Sequence, residues 1–363
     1  MPLFDTLEYS LLRYREMKPA LGFRARTRSS AILWQHRLRA RLVRLLGGFP
    51  AERCPLRARI VARRAFPRYV REAIVFRSRP GSDVFGYFLV PRRNEALRLA
   101  SGASGAVLAG PRVPRANHPC VIAVPGHGRG VDSIVGYDAK GRLRKLGGWG
   151  EYQNDFALQC VVNGYAVFAL EQMGFGHRRD PAAKKRGPDS SSCQPAAGAA
   201  LLFGETMIGW RVWDVMRAVD YLSTRREVDA RRIAVMGISG GGTTSLFSAA
   251  LDTRIRAAVV SGYFNTFKAS IMSLAHCIDN YVPGILKVAE QHDVSGLIAP
   301  RALFVESGTR DPIFPVSATR RAFGRVRRVY RVFGASSRLG MEVFRNEHVF
   351  HGPGAFRFLK NNL

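Results

Sequence analysis

The chain has 363 residues, 47% of them hydrophobic, enough to bury a large core and too many for an extended disordered polymer. No apolar run approaches the roughly 18 residues that a membrane-spanning helix needs. Against 27 Asp and Glu stand 56 Lys and Arg, a net charge of +29, and such a field draws anions, nucleic acid and anionic lipid included, without specificity.

Residues 1–70 are basic and carry helical spacing. In RARTRSSAILWQHRLRARLVRLL, Ile32, Leu33, Leu38, Leu42 and Leu45 are available for one apolar face, with arginines around the rest. This predicts an N-terminal helical segment packed on the main domain. The first residues hold no basic leader followed by a long apolar stretch, so a cytoplasmic location is expected. Five scattered cysteines, none in a Cys-x-x-Cys pair, fit reduced thiols better than a disulfide framework or a zinc site.

REAIVFRSRPGSDVFGYFLVP (71–91) alternates apolar and polar residues around Pro-Gly, the pattern of a β-hairpin. Residues 92–117 lack periodicity and are expected to be an exposed connection. From 118 onward short apolar strands alternate with helical stretches. CVIAVPG, YAVFALE, RIAVMG, IRAAVVSGY and RALFVESG are strand candidates, and GWRVWDVMRAVDYLSTR is helical. That alternation predicts an α/β fold, a mostly parallel sheet with helices on both faces. Ligands of such sheets sit at the carboxyl ends of the strands, so the chemistry is sought in the loops that follow them. The catalytic domain is set at 71–363, with lid or cap segments at 178–203 and 262–297.

One strand candidate runs into Gly237-Ile238-Ser239-Gly240-Gly241, which opens a helix. A G-x-S-x-G turn between strand and helix is the context of a nucleophile elbow. A serine hydroxyl needs a base, and the base needs an orienting acid. In this arrangement the acid and then the histidine follow the serine in the chain. Asp311, directly after RALFVESG, stands where the acid is required. His348 and His351 follow in FRNEHVFHG; either imidazole could serve as base, and His348 is preferred. PGHGRG (125–130) ends the first parallel strand in a glycine-rich turn. The backbone N–H groups of His127 and Gly240 are assigned to an oxyanion hole.

These pieces resemble the bacterial α/β-hydrolases grouped near dienelactone hydrolases and acetyl xylan esterases. The similarity rests on PGHGRG, MGFG, IGWRVWDVMRAVDYL, GISGGG, HCIDNYVPG, LIAPRALFVESGTRDPIFP and HVFHG, in the order that family uses, over roughly residues 118–355. It implies the α/β-hydrolase fold and a triad of Ser239, Asp311 and His348. Serine, where dienelactone hydrolases use cysteine, points to the esterase side. Two departures are Pro125-Gly126, where relatives often have His-Gly, and Asn346-Glu347, where they commonly have Gly-Gly.

Tyr263, Phe264, Asn280 and Tyr281 are candidates to line the substrate pocket. His276 and Cys277 could suggest a metal pair, but no matching ligands lie nearby in sequence, so no metal is assigned. Glu171, at a strand end, is an alternative acid. The function read from the sequence is cleavage of a small-molecule carboxylic ester through an acyl-enzyme, with no cofactor. The rivals are a peptidase, amidase or thioesterase on the same triad, and a basic binding protein holding nucleic acid or membrane.

Overall fold

The computed structural model describes residues 4–92, 117–144 and 151–363; most of the expected 92–117 connection lies outside them. Nine strands form one sheet among these residues, in the order β1-β2-β3-β5-β4-β6-β7-β8-β9. The edge is antiparallel: β1 (Arg59–Ala65), β2 (Tyr69–Arg79) and β3 (Ser82–Pro91) pair in succession, and β3 joins β5 (Ala166–Leu170). From β5 through β4 (His118–Val124), β6 (Val228–Ile238), β7 (Ile255–Ser261), β8 (Ala302–Gly308) and β9 (Leu339–Phe344) every pairing is parallel. The central strands are apolar on both faces because helices cover both. Five of these residues on β6, from Ile233 to Ile238, are fully buried apolar side chains.

The N-terminal stretch holds two helices, α1 (Thr6–Glu16) and α2 (Arg28–Leu45). It is not helical throughout, because residues 59–65 form the edge strand β1. The buried stripe of α2 is Ala31, Trp34, Gln35, Leu38 and Leu42. Ile32 and Leu33, expected on that face, are exposed: a stripe at i, i+3, i+4 and i+7 from Ala31 passes beside them. The helix joins the larger of two core clusters. Its polar groups reach the main body as well: Gln35 Nε2 donates to the Ala299 carbonyl at 2.7 Å and Arg39 to that of Leu297 at 2.6 Å.

On one face of the sheet lie α6 (Met207–Leu222), α7 (Gly240–Leu251) and α9 (Val316–Val332); on the other, α3 (Phe156–Val162) and α10 (Pro353–Asn362). Segment 178–203 carries α4 (Pro181–Arg186) and α5 (Cys193–Leu202). Segment 262–297, set as a lid or cap, is largely irregular. It has 3-10 turns at Ile278–Asn280 and Ile285–Lys287 and one short helix, α8 (Gln291–Gly296). Pro283 and Gly284 break any longer helix there.

Candidate active site

Four strand ends converge on one cleft. At the end of β6, Ser239 takes φ 57° and ψ −125°, a backbone state few L-residues tolerate. It is held there by its N–H donating to the Ser261 carbonyl (3.0 Å) and by its carbonyl accepting from Thr243 N–H (2.9 Å) as α7 begins. The turn needs glycines: a Cβ on Gly237 would lie 2.5 Å from the Gly241 carbonyl carbon, and one on Gly241 would lie 2.8 Å from the Pro125 oxygen. Ser239 thus stands at the N-terminus of a helix, where the dipole favours negative charge.

Asp311 follows β8 and is almost wholly buried. Its Oδ1 accepts from the N–H groups of Ile313 (2.9 Å) and Phe314 (3.0 Å), and its Oδ2 lies 2.8 Å from His348 Nδ1. With Nδ1 engaged, His348 Nε2 is buried and carries no hydrogen-bond partner. The imidazole is clamped between two rings, Tyr152 and Phe314, each 5.7 Å away and tilted by 22°. The Asn346-Glu347 departure is accommodated by backbone bonds: Arg310 N–H donates to the Asn346 carbonyl (2.9 Å), and Asn346 N–H to that of Phe344 (3.0 Å). His351 lies elsewhere, its Nδ1 3.1 Å from Glu342 and its ring stacked on Phe344. The structure therefore brings His348, not His351, to Asp311.

The turn after β4 forms the third wall. Gly126 N–H is committed to Gln153 Oε1 (2.7 Å), and Gln172 Nε2 holds the Pro125 carbonyl (2.6 Å). Tyr152 donates its hydroxyl to the His127 carbonyl. Gly240 opens α7, so its N–H has no partner within the helix. The His127 ring packs beside it: a Cβ on Gly240 would lie 3.2 Å from His127 Nδ1.

The cleft has a volume of about 340 Å³ and contains Ser239, His348, His127 and Tyr152, with Leu274–Cys277 and Ile313 closing its sides. Two larger surface hollows, of about 700 Å³ beside Phe49 and Trp210 and about 730 Å³ beside Ala182 and Pro195, hold no serine–histidine–carboxylate set. The predicted pocket residues are not its walls. Tyr263 and Phe264 are core side chains, Tyr263 packing edge-on against Phe314. Asn280 is buried and accepts from Thr243 Oγ1 at 2.6 Å. Tyr281 is 40% exposed and donates to the Ile271 carbonyl. Their segment does reach the cleft, but through residues 274–277. The 178–203 segment supplies no wall residue. Sequence reasoning also missed Tyr152, which has only its position between β4 and α3 to mark it.

Two buried carboxyls are held above their ordinary range. Glu171 caps two turns through Val131 N–H (3.2 Å) and His177 N–H (3.1 Å) rather than serving a histidine base; burial pushes it up to about 7. Glu306 receives Gly352 N–H at 2.8 Å and is likewise pushed up to about 7 by burial.

Behind His127 lies a second cluster. Asp279 accepts from Arg211 at 2.6 Å and from Cys193 Sγ at 3.3 Å. Burial works against the Asp279 anion, but Arg211 and His127 hold its carboxyl well below the usual range. Hydrogen bonding from Cys277, with help from Arg211 and His127, draws the thiol of Cys193 below its ordinary value against its burial.

A mostly parallel sheet of this order, with a serine on a strained strand–helix turn and an aspartate-paired histidine lining the same cleft, defines an α/β-hydrolase fold. The comparisons agree. A family model described as acetyl xylan esterase (AXE1) matches residues 145–285. YtaP of Bacillus subtilis (strain 168), a protein assigned as a hydrolase by inference, is 29% identical over 184 residues, 50% of this chain; the chain thus spans 58% of that relative's length. A Bacteroides fragilis NCTC 9343 structure, assigned by inference as an acetyl xylan esterase, superposes with a TM-score of 0.75. It is 16% identical and covers 100% of this chain and 90% of its own. A glucuronoyl esterase from Solibacter usitatus superposes at 0.66, with 14% identity over 95% and 97% of the two chains. The resemblance read from the motifs thus holds on its acetyl xylan esterase side.

Proposed function

We propose that this chain is a serine esterase acting on short acyl esters, with acylated carbohydrates as the substrate class. The observation that carries the reading is the His348–Asp311 contact of 2.8 Å, which leaves Nε2 unpartnered in the cleft that also contains Ser239. His348 takes the proton of Ser239 Oγ as that oxygen attacks the ester carbonyl. Asp311 fixes the tautomer and stabilises the imidazolium. The N–H groups of His127 and Gly240 receive the oxyanion, each contributing roughly 3–4 kcal/mol to the transition state. His348 then gives its proton to the departing alcohol and serves again as base for the water that frees the acid.

A cleft of about 340 Å³ is near the small end of ligand sites. It suits a short acyl group, with the alcohol portion outside. The carbohydrate assignment is supported by the description of the matching family. A fluorophosphonate probe followed by peptide mass spectrometry tests the reading: label is expected on Ser239 and absent from Ser239→Ala. Hydrolysis of p-nitrophenyl acetate in preference to long-chain esters and peptide anilides is expected; the reverse preference would favour the amidase or peptidase alternative.

A second property rests on charge. Helices α2 and α9 pack together in one core, and α9 exposes Arg320, Arg321, Arg325, Arg327, Arg328 and Arg331. This face supports nonspecific association with polyanions, checked as duplex-DNA binding that weakens steeply with salt and persists in Ser239→Ala.

A further inference from the structure

The cluster behind His127 gathers four side chains from three separate parts of the chain: the turn after β4 (His127), the start of α5 (Cys193), and the 3-10 turn at the cleft wall, which carries both Cys277 and Asp279. His127 Nε2, Cys193 Sγ, Cys277 Sγ and Asp279 Oδ2 all lie within 4.8 Å of one another. Three of the separations are 3.5 Å (His127–Asp279), 3.3 Å (Cys193–Asp279) and 3.8 Å (Cys193–His127). A tetrahedral zinc ion, with bonds of about 2.3 Å to sulfur and about 2.0 Å to nitrogen or oxygen, sets its ligands about 3.3–3.8 Å apart. The donor types also match: two thiolates, an imidazole and a carboxylate select zinc over the hard oxygen-seeking cations.

We propose that His127, Cys193, Cys277 and Asp279 form a structural zinc site that anchors the cleft-lining turn after β4. Charge supports it. Two thiolates and a carboxylate exceed the charge of Zn²⁺ by one, and the buried Arg211 guanidinium supplies that one, donating at 2.6 Å to the same Asp279 Oδ2. Arg211 also donates to Cys193 Sγ at 3.3 Å, in the manner of the outer partners that orient metal ligands. Asp279 has a second outer partner: its Oδ1 accepts from Asn280 Nδ2 at 2.9 Å. His127 binds through Nε2 and so keeps its backbone free for the cleft. The ion ties the segment bearing Cys277 to the turn bearing His127, and it takes no part in the ester chemistry. The inference stands on this geometry alone and does not depend on the esterase reading.

The test uses the untagged full chain, kept reduced, depleted of metal and then titrated with Zn²⁺ or Co²⁺. One zinc per chain is expected by elemental analysis. Co²⁺ should give thiolate-to-cobalt charge-transfer bands and the intense visible bands of a tetrahedral site. Cys193→Ser and Cys277→Ser should each weaken affinity by more than the roughly 10–100-fold lost with an outer partner. If a variant fails to fold, the wild-type cobalt spectrum alone decides. A folded chain that takes up no stoichiometric metal overturns the proposal, as does a cobalt spectrum without thiolate bands. Ser239 labelling is a separate readout, so loss of one reading leaves the other intact.

Discussion

Tyr152 and His348 stack with ring centroids 5.7 Å apart and 22° between planes, while the Tyr152 hydroxyl donates to the carbonyl of His127. One side chain thus joins the histidine proposed as base to the turn proposed as oxyanion hole. Tyr152→Phe keeps the stack and removes only the hydrogen bond, a loss of about 1 kcal/mol. The expected result is kcat lower by about 5-fold on p-nitrophenyl acetate with KM little changed. Tyr152→Ala removes the clamp as well and should cost considerably more.

Asp311 holds Nδ1 of His348 at 2.8 Å and is itself fixed by two backbone N–H groups. In Asp311→Asn the amide can present its NH2 to the ring, favouring the wrong tautomer. A fall in kcat of about 10⁴-fold is expected, as for the aspartate of other serine triads, with fold and substrate affinity preserved. Steady-state kinetics beside circular dichroism would check it. His351→Gln should leave kcat within about 3-fold of wild type, because its partner is Glu342 and surface changes away from the site act weakly.

Glu306 is a buried acid pushed up to about 7, from an ordinary carboxyl value near 4.5 when unfolded. The folded state therefore binds the proton more tightly. Its contribution is complete below about pH 4.5 and is lost as pH rises through about 7, on the order of 3 kcal/mol in all. Glu306→Gln mimics the protonated form. Its urea-unfolding free energy should fall less between pH 5 and pH 8 than that of the wild type.

Leu38 on α2 is fully buried in the core cluster shared with the sheet. Leu38→Ala should destabilise the whole protein by about 2–5 kcal/mol in a single unfolding transition. A separate, early transition of the N-terminal helices in the wild type would show instead that they are not part of that core.

Much of the site is written locally. An apolar strand running into Gly-x-Ser-x-Gly marks Ser239, and a strand ending before Asp311 places the acid, because strand periodicity and turn chemistry act over a few neighbouring residues. The alternation from residue 118 onward likewise carries the parallel sheet. Other features needed the tertiary structure. His348 and His351 are equivalent in sequence; packing gives one to Asp311 and the other to Glu342. Tyr263 and Phe264 have the composition of pocket walls, yet they are core because the chain turns inward there, while residues 274–277 face the cleft. The stripe of α2 was misplaced because which face is buried depends on what the helix meets. Tyr152 over His348, and Cys193 beside Asp279 from 86 residues away, have no local signature at all. Contacts between distant segments follow from how the helices and loops pack on the sheet, and only the assembled fold decides them.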